Sequence, residues 1–116
     1  MPVQAGKIAY LKGADRPALS LWLLDDTGAL IDFSSGYTFS FKLGRPGQAA
    51  ALTKTTGIVG AVGSGVEPTG VPNVVVTWAA GDLDIAPMSY TWQLTCTTGG
   101  LARRFQGSFL VQDIVT

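Results

Sequence analysis

The chain has 116 residues, of which only 14% are charged, and its acidic and basic residues balance at a formal net charge of zero. This length fits one domain with its own core, and we expect residues 1–116 to form that single domain. A typical nucleic-acid-binding domain carries a basic field, so no nucleic-acid partner is expected. The low charged fraction, against about 25% in an average soluble domain, indicates either a surface that a partner covers or simple dilution by Ala, Gly and Thr.

The sequence shows neither a secretory leader nor a membrane span. No charged N-terminal segment precedes a short apolar run, and no apolar run approaches the roughly 18–20 residues that cross a bilayer. We therefore expect a protein that is made in a cytoplasm and has no membrane partner. The single cysteine, Cys96, excludes an intrachain disulfide.

From the N-terminus, the pattern begins with an arm and two strands. We expect residues 1–6 to form a flexible arm, which either frays or reaches a neighbouring subunit. A short strand follows around Ile8 and Tyr10. Residues 18–24 form the second strand, with alternate leucines on one face and Trp22 on the other. Trp22 is then either an exposed contact or a ring packed under a loop.

Turn-forming residues separate the next elements. The sequence DDTG at 25–28 is a strong turn signal, because Asp caps turns and Gly accepts positive φ. Residues 37–43 alternate aromatic or apolar side chains with polar ones and predict the clearest amphipathic strand of the first half. Residues 49–55 fit a helix or a strand by composition, and their Thr-rich end favours a strand. Residues 56–72 predict a long Gly-rich loop with a short strand inside it.

The second half opens with a strand at 73–78 that is apolar on both faces, as in the interior of a sheet. Residues 79–86 predict the only helical turn, with Asp82 and Asp84 as caps.

The last third predicts a hairpin. Tyr90, Trp92, Leu94 and Cys96 alternate with polar residues, which is typical of a strand with one buried face. A turn at 98–100 leads into a final strand at 103–115. Gly107 interrupts that strand and indicates a bulge or a close backbone approach.

About seven to nine short strands with frequent turns therefore predict a single antiparallel β-sandwich with one short helical turn. Four apolar sets are expected to pack between its two sheets: Leu19/Leu21/Leu23, Phe39/Phe41, Trp92/Leu94 and Phe109/Val111.

The sequence offers little reactive chemistry. Histidine is absent, which excludes Ser–His and Cys–His nucleophiles and histidine-based zinc sites, and no Gly-rich phosphate loop occurs. We expect no catalytic residue, no cofactor, no metal site and no small-molecule substrate. The adjacent arginines at 103–104 form the only basic cluster, which is either a solvated face or a partner for acidic residues of another protein.

The order of these signals resembles the immunoglobulin-like N-terminal domain of phage baseplate upper proteins and related domains of tailed-phage virion proteins. That family shows leucine alternation before a D-x-x-G turn, then a Gly-led aromatic strand, an Ala/Asp turn, a Tyr-led strand and a last strand with a central glycine. The matching positions here are 19–28, 36–41, 79–82, 90–95 and 107–111.

The resemblance implies an immunoglobulin-like sandwich without enzymatic activity, which assembles into a baseplate, a tail or a capsid after synthesis in the bacterial host's cytoplasm. Its partners would be other virion proteins and further copies of itself. The candidate contacts are Tyr10, Trp22, Val66, Glu67, Arg103 and Arg104.

An alternative interpretation is a carbohydrate- or cell-surface-binding module. Tyr10, Trp22 and Trp78 would then be the rings that stack on a sugar. A small hydrolase or metal-dependent enzyme is the third interpretation, and no motif supports it.

Overall fold

The structure is a computed structural model that describes residues 8–11, 18–45, 47–65 and 69–112. Within these ranges the chain forms eight strands and no helix. The strands are β1 (Ile8–Leu11), β2 (Leu19–Leu21), β3 (Thr38–Gly44), β4 (Leu52–Lys54), β5 (Ile58–Gly60), β6 (Val74–Val76), β7 (Met88–Thr98) and β8 (Leu101–Gln112). The arm expected at residues 1–6 lies outside the described ranges.

The strands form two sheets. The larger sheet has five strands in the order β1-β8-β7-β3-β4, and the smaller has three in the order β2-β6-β5. Neighbouring strands are antiparallel except for β1, which lies parallel to β8. Side chains from both sheets form one buried apolar cluster, which is consistent with the predicted β-sandwich.

The predicted hairpin, β7–β8, forms the centre of the larger sheet. Its register runs without a break from Met88 opposite Val111 to Thr98 opposite Leu101. Gly99 and Gly100 both have positive φ angles and make the two-residue turn between the strands. The hairpin therefore holds two strands of 11 and 12 residues in one fixed register.

Gly107 does not form a bulge, because the register passes through it without an extra residue. It lies opposite Trp92, and a Cβ at this position would stand 2.6 Å from the indole Nε1. The close-approach prediction is therefore confirmed: the missing side chain makes room for a fully buried tryptophan.

The predicted inner faces form the core. All residues of the four predicted apolar sets are buried except Phe39, which is partly buried and packs against the cluster. Trp78, which follows β6 in the smaller sheet, contacts three rings of the larger sheet edge-on: Tyr10, Phe41 and Phe109, with centroids 5.5, 5.6 and 5.9 Å away. These rings join the two sheets.

Asn73 is a polar residue in this core, and it is completely buried. Its Nδ2 donates hydrogen bonds to the carbonyl oxygens of Leu23 and Ile31, at 2.8 and 2.9 Å, and its Oδ1 accepts one from the Leu23 N–H at 2.8 Å. The amide therefore ties the chain after β2 and the segment after the 25–28 turn to β6. A buried amide with this many partners fixes the local backbone strongly.

The prediction of a helical turn at 79–86 is wrong. Residues 80–83 form a tight turn instead, closed by hydrogen bonds from the Asp82 N–H to Ala79 and from the Asp84 N–H to Gly81. The Asp82 carboxylate accepts from the Ala79 N–H at 2.8 Å and pairs with the buried Lys54 ammonium at 2.9 Å. The carboxylate thus fastens the turn to β4, a role that its position in the sequence does not reveal.

The short strand predicted inside the long Gly-rich loop at 56–72 is confirmed as β5, and the described part of this segment folds back as a hairpin. β5 pairs with β6, and a further bridge joins Ser64 to Val71. Gly60 permits this arrangement, because a Cβ there would lie 2.2 Å from the carbonyl oxygen of Phe33. Glycine in this segment therefore allows close packing of the backbone. In the sequence alone, such glycines cannot be told from those of a loop.

Candidate protein-binding surface

Tyr10 is not available as a surface contact, because its side chain belongs to the core. It is 8% exposed, its ring stacks on Phe109 at 5.3 Å between centroids, and it meets Trp78 edge-on. Burial raises the pKa of its hydroxyl. β1 lies at the sheet edge, but its register places Tyr10 opposite Val111, which faces inward. Trp78 is buried too, so neither ring offers a free face for sugar stacking.

The exposure of Trp22 is intermediate between the two predicted environments, an exposed contact and a ring packed under a loop. Its side chain is half-buried, and the indole Nε1 is enclosed with no hydrogen-bond partner among the described residues. Of the three rings proposed for sugar stacking, only Trp22 retains partial exposure. Val66 and Glu67 lie outside the described residues.

Arg103 and Arg104 are both exposed on β8, but they have different neighbours. Arg103 lies opposite Cys96 and close to the 25–28 turn. In that turn, hydrogen bonds from the Thr27 hydroxyl and from backbone N–H groups hold the pKa of Asp25 below its ordinary value, with a smaller contribution from the Arg103 charge. Arg104 instead lies opposite Thr95, on the outward side of the larger sheet.

That outward side is a distinct surface, which we name the polar face. It consists of the outward positions of the three central strands: Thr38, Ser40, Lys42 and Gly44 on β3; Ser89, Thr91, Gln93, Thr95 and Thr97 on β7; Ala102, Arg104, Gln106, Ser108, Leu110 and Gln112 on β8. The face contains hydroxyl and amide groups and two cations. None of these positions holds a carboxylate or an aromatic ring.

The register arranges the polar face in rows. Lys42 lies opposite Gln93, which lies opposite Gln106. The next row along the strands contains Ser40, Thr95 and Arg104. Side chains of one row project from neighbouring strands about 4.8 Å apart, and the two rows are about 7 Å apart. Each row therefore brings one cation together with hydrogen-bonding groups.

A concavity of about 410 Å³ opens on this face. Lys42, Gln93 and Gln106 line it together with Thr91, and the turn after β3 contributes Arg45 and Gln48. Gly44 belongs to the lining and has no side chain to fill the space. The lining thus contains two cations, three amides and a hydroxyl, which are mostly hydrogen-bond donors.

A second concavity, of about 630 Å³, lies where β4 ends. β3 pairs with β7 along its whole length but with β4 only at residues 41–43. Its first half therefore has a free edge, next to the partly buried rings of Tyr37 and Phe39. This concavity has no charged residue in its lining.

Reactive groups are scarce in the described part of the chain. Its His, Cys, Asp and Glu residues form no group of three or more that could hold a metal ion. Cys96 is buried, and burial raises the pKa of its thiol to about 12, so the sulfur stays protonated at neutral pH. The described ranges contain no helix long and apolar enough to cross a membrane.

Sequence reasoning found Arg104 but missed Lys42, Arg45 and the three glutamines. Gln93 and Lys42 were visible as polar positions of amphipathic strands, but their alignment depends on strand order and register. Neither property can be obtained from alternation alone.

No protein-family model matches this chain, and no curated protein or solved structure was found to match it. The resemblance to phage baseplate domains therefore stays a prediction.

Proposed function

We propose that the protein is a non-enzymatic structural or assembly component of a bacteriophage virion, and that its two sheets form an immunoglobulin-like sandwich. Its place would be in a baseplate, in a tail or as a minor protein bound to a capsid. It is made in the cytoplasm of the bacterial host and acts in the particle. Its partners are other virion proteins and further copies of itself.

The observation that carries the proposal is the polar face. Three long strands present an ordered array of hydroxyl, amide and cationic side chains on one side of the domain, with a concavity of about 410 Å³ between them. The rims of protein–protein interfaces are polar, and a typical interface contains about ten direct hydrogen bonds, which such hydroxyl, amide and cationic groups can supply. The resemblance of the ordered sequence signals to those of virion domains supports the same assignment.

Mass spectrometry of purified particles tests this function. Particles banded on a density gradient should contain the protein at a fixed ratio to the major capsid protein, and the ratio should survive a second gradient. An abundant cytoplasmic protein of the host serves as the contamination control and should fall with each gradient. If this protein falls in parallel with the host control, the proposal is wrong.

A further inference from the structure

We infer that the polar face binds an acidic, extended segment of a partner protein, with acidic side chains entering the concavity lined by Lys42, Arg45 and the three glutamines. This inference rests on the proposed function, because it names the chemistry of the partner that a structural protein would hold. It is carried by the charge distribution and the register of the larger sheet.

The first argument is charge. The described residues contain five cations, of which Lys54 is buried in an ion pair with Asp82 and Arg103 lies near the 25–28 turn with its two aspartates. The remaining three, Lys42, Arg45 and Arg104, belong to the polar face or to the rim of its concavity. No described carboxylate lies at an outward position of β3, β7 or β8. In a chain with no net charge, this separation gives one face a positive potential that attracts acidic groups.

The second argument is hydrogen bonding. Carboxylates only accept hydrogen bonds, and an ammonium, a guanidinium and amide NH₂ groups all donate them. The row from Lys42 through Gln93 to Gln106 places such donors on three adjacent strands. A carboxylate in the concavity can therefore be bound by a cation and by an amide at the same time.

The third argument is spacing. Lys42 and Arg104 lie two strands and one row apart, which places their Cα atoms about 12 Å from each other. Acidic residues at positions i and i+4 of an extended segment point to the same side and lie about 13 Å apart. An extended acidic segment thus matches both cations without bending.

The lining also favours a protein over an acidic polysaccharide. Neither the concavity nor the polar face contains an aromatic ring, whereas sugar sites commonly use such a ring as a stacking platform. Of the three candidate rings, Tyr10 and Trp78 are buried, and the half-buried Trp22 follows β2 of the smaller sheet, outside the polar face.

The test is amide chemical-shift mapping of the ¹⁵N-labelled full chain with three capped probes: an octaglutamate peptide, an octaglutamine peptide and an octamer of uronic acid. We expect octaglutamate to shift the side-chain NH₂ signals of Gln48, Gln93 and Gln106, and octaglutamine to leave them unchanged. Lys42→Gln and Arg45→Gln should each weaken octaglutamate binding by about two- to fivefold, as expected for exposed ion pairs. Arg103→Gln removes one exposed charge elsewhere and should leave the affinity unchanged.

Three results would overturn the inference: no shift of these glutamines with octaglutamate, an equal loss of affinity in Arg103→Gln, or larger shifts with the uronic acid octamer, which would assign the face to an acidic glycan. All three variants change exposed side chains, and the backbone spectrum of each reports directly whether the fold is retained. The outcome of the particle experiment is independent of the outcome of the peptide experiment. A protein absent from particles but with glutamate-shifted glutamines would lose the proposed function alone, whereas a virion protein without these shifts would lose only the acidic partner.

Discussion

Gly107→Ala should destabilise the protein well beyond an ordinary glycine-to-alanine change in a strand. The new Cβ would lie 2.6 Å from Nε1 and 2.9 Å from Cε2 of Trp92, where real Cβ contacts essentially never occur. The indole cannot move aside easily, because it is fully buried and stacks on Phe41 with centroids 6.3 Å apart. Overpacking of a well-packed core costs about 1–3 kcal/mol, and the rigidity of this ring favours the upper half of that range.

The assay is urea unfolding followed by tryptophan fluorescence, with Gly44→Ala as the matched control. Gly44 also lies in the larger sheet and has no positive φ, but a Cβ there would meet its nearest neighbour, the Ala50 Cα, at 3.4 Å. This is the limit of ordinary van der Waals contact, so the control should change the free energy of unfolding by less than about 1 kcal/mol.

A double-mutant cycle identifies the cause. Trp92→Phe removes the indole atoms that the Cβ would meet, so the cost of Gly107→Ala should be smaller in the Trp92→Phe background than in the wild type. If Gly107→Ala costs no more than Gly44→Ala, or costs the same in both backgrounds, the packing of Trp92 over Gly107 is not what requires a glycine.

Three further predictions concern the polar groups of the fold. Asn73→Ala leaves the Ile31 carbonyl and the Leu23 N–H buried without partners, and the Leu23 carbonyl with only the Ile31 N–H, so it should cost about 3 kcal/mol in urea unfolding; a cost below about 1 kcal/mol would contradict the role of this amide. Asp82→Ala should destabilise the protein more than Lys54→Met. The first change leaves the Lys54 side chain, which is only 6% exposed, without its partner, whereas the second leaves the Asp82 side chain, which is 18% exposed. The reverse order in the same assay would contradict this reasoning. Asp25→Asn should lower stability at neutral pH, and the difference from the wild type should shrink as the pH falls. The reason is that folding depresses the pKa of Asp25. The stabilisation by its carboxylate is therefore fully present above the unfolded-state pKa of about 3.9 and is lost below the folded-state pKa. Unfolding measured between about pH 2 and 6 checks the last prediction, and a difference that grows with acidity would refute it.

Alternation predicted the parts of the fold in which one sheet face meets the core. β3, β7 and β8 from Phe105 onward place apolar residues at every second position, and the sequence shows which side of each strand is buried. The turn at 25–28 was equally readable, because the hydrogen bonds of Asp25 are local. Local sequence patterns thus suffice to predict a structure where the interacting residues lie within a few positions of each other, or where a side chain simply faces the core.

Long-range partners account for the errors. Asn73 reads as the polar start of an apolar strand, but its hydrogen-bond partners are 42 and 50 residues away. Asp82 reads as a helix cap because its partner on β4 is remote in sequence. Composition gives Gly60 the signature of a loop, whereas the backbone of Phe33 determines its packing. Such requirements arise only after folding brings the segments together.

The same reasoning explains why the candidate surface was harder to predict than the core. Inward positions are identified by hydrophobicity, which a sequence displays directly, but outward positions share polarity with every solvated strand. What distinguishes the polar face is the alignment of Lys42, Gln93 and Gln106, and a register shift of one residue in β7 would turn Gln93 toward the core. In the uninterrupted register of the β7–β8 hairpin, Gln93 lies opposite Gln106 on the outward side while Trp92 packs against Gly107 on the opposite side of the sheet. Because the two faces share one register, we expect a disturbed contact between Trp92 and Gly107 to disturb the alignment of the polar face as well, so a Gly107 variant that still folds should show a weaker octaglutamate response at Gln93 and Gln106 as well as lower stability.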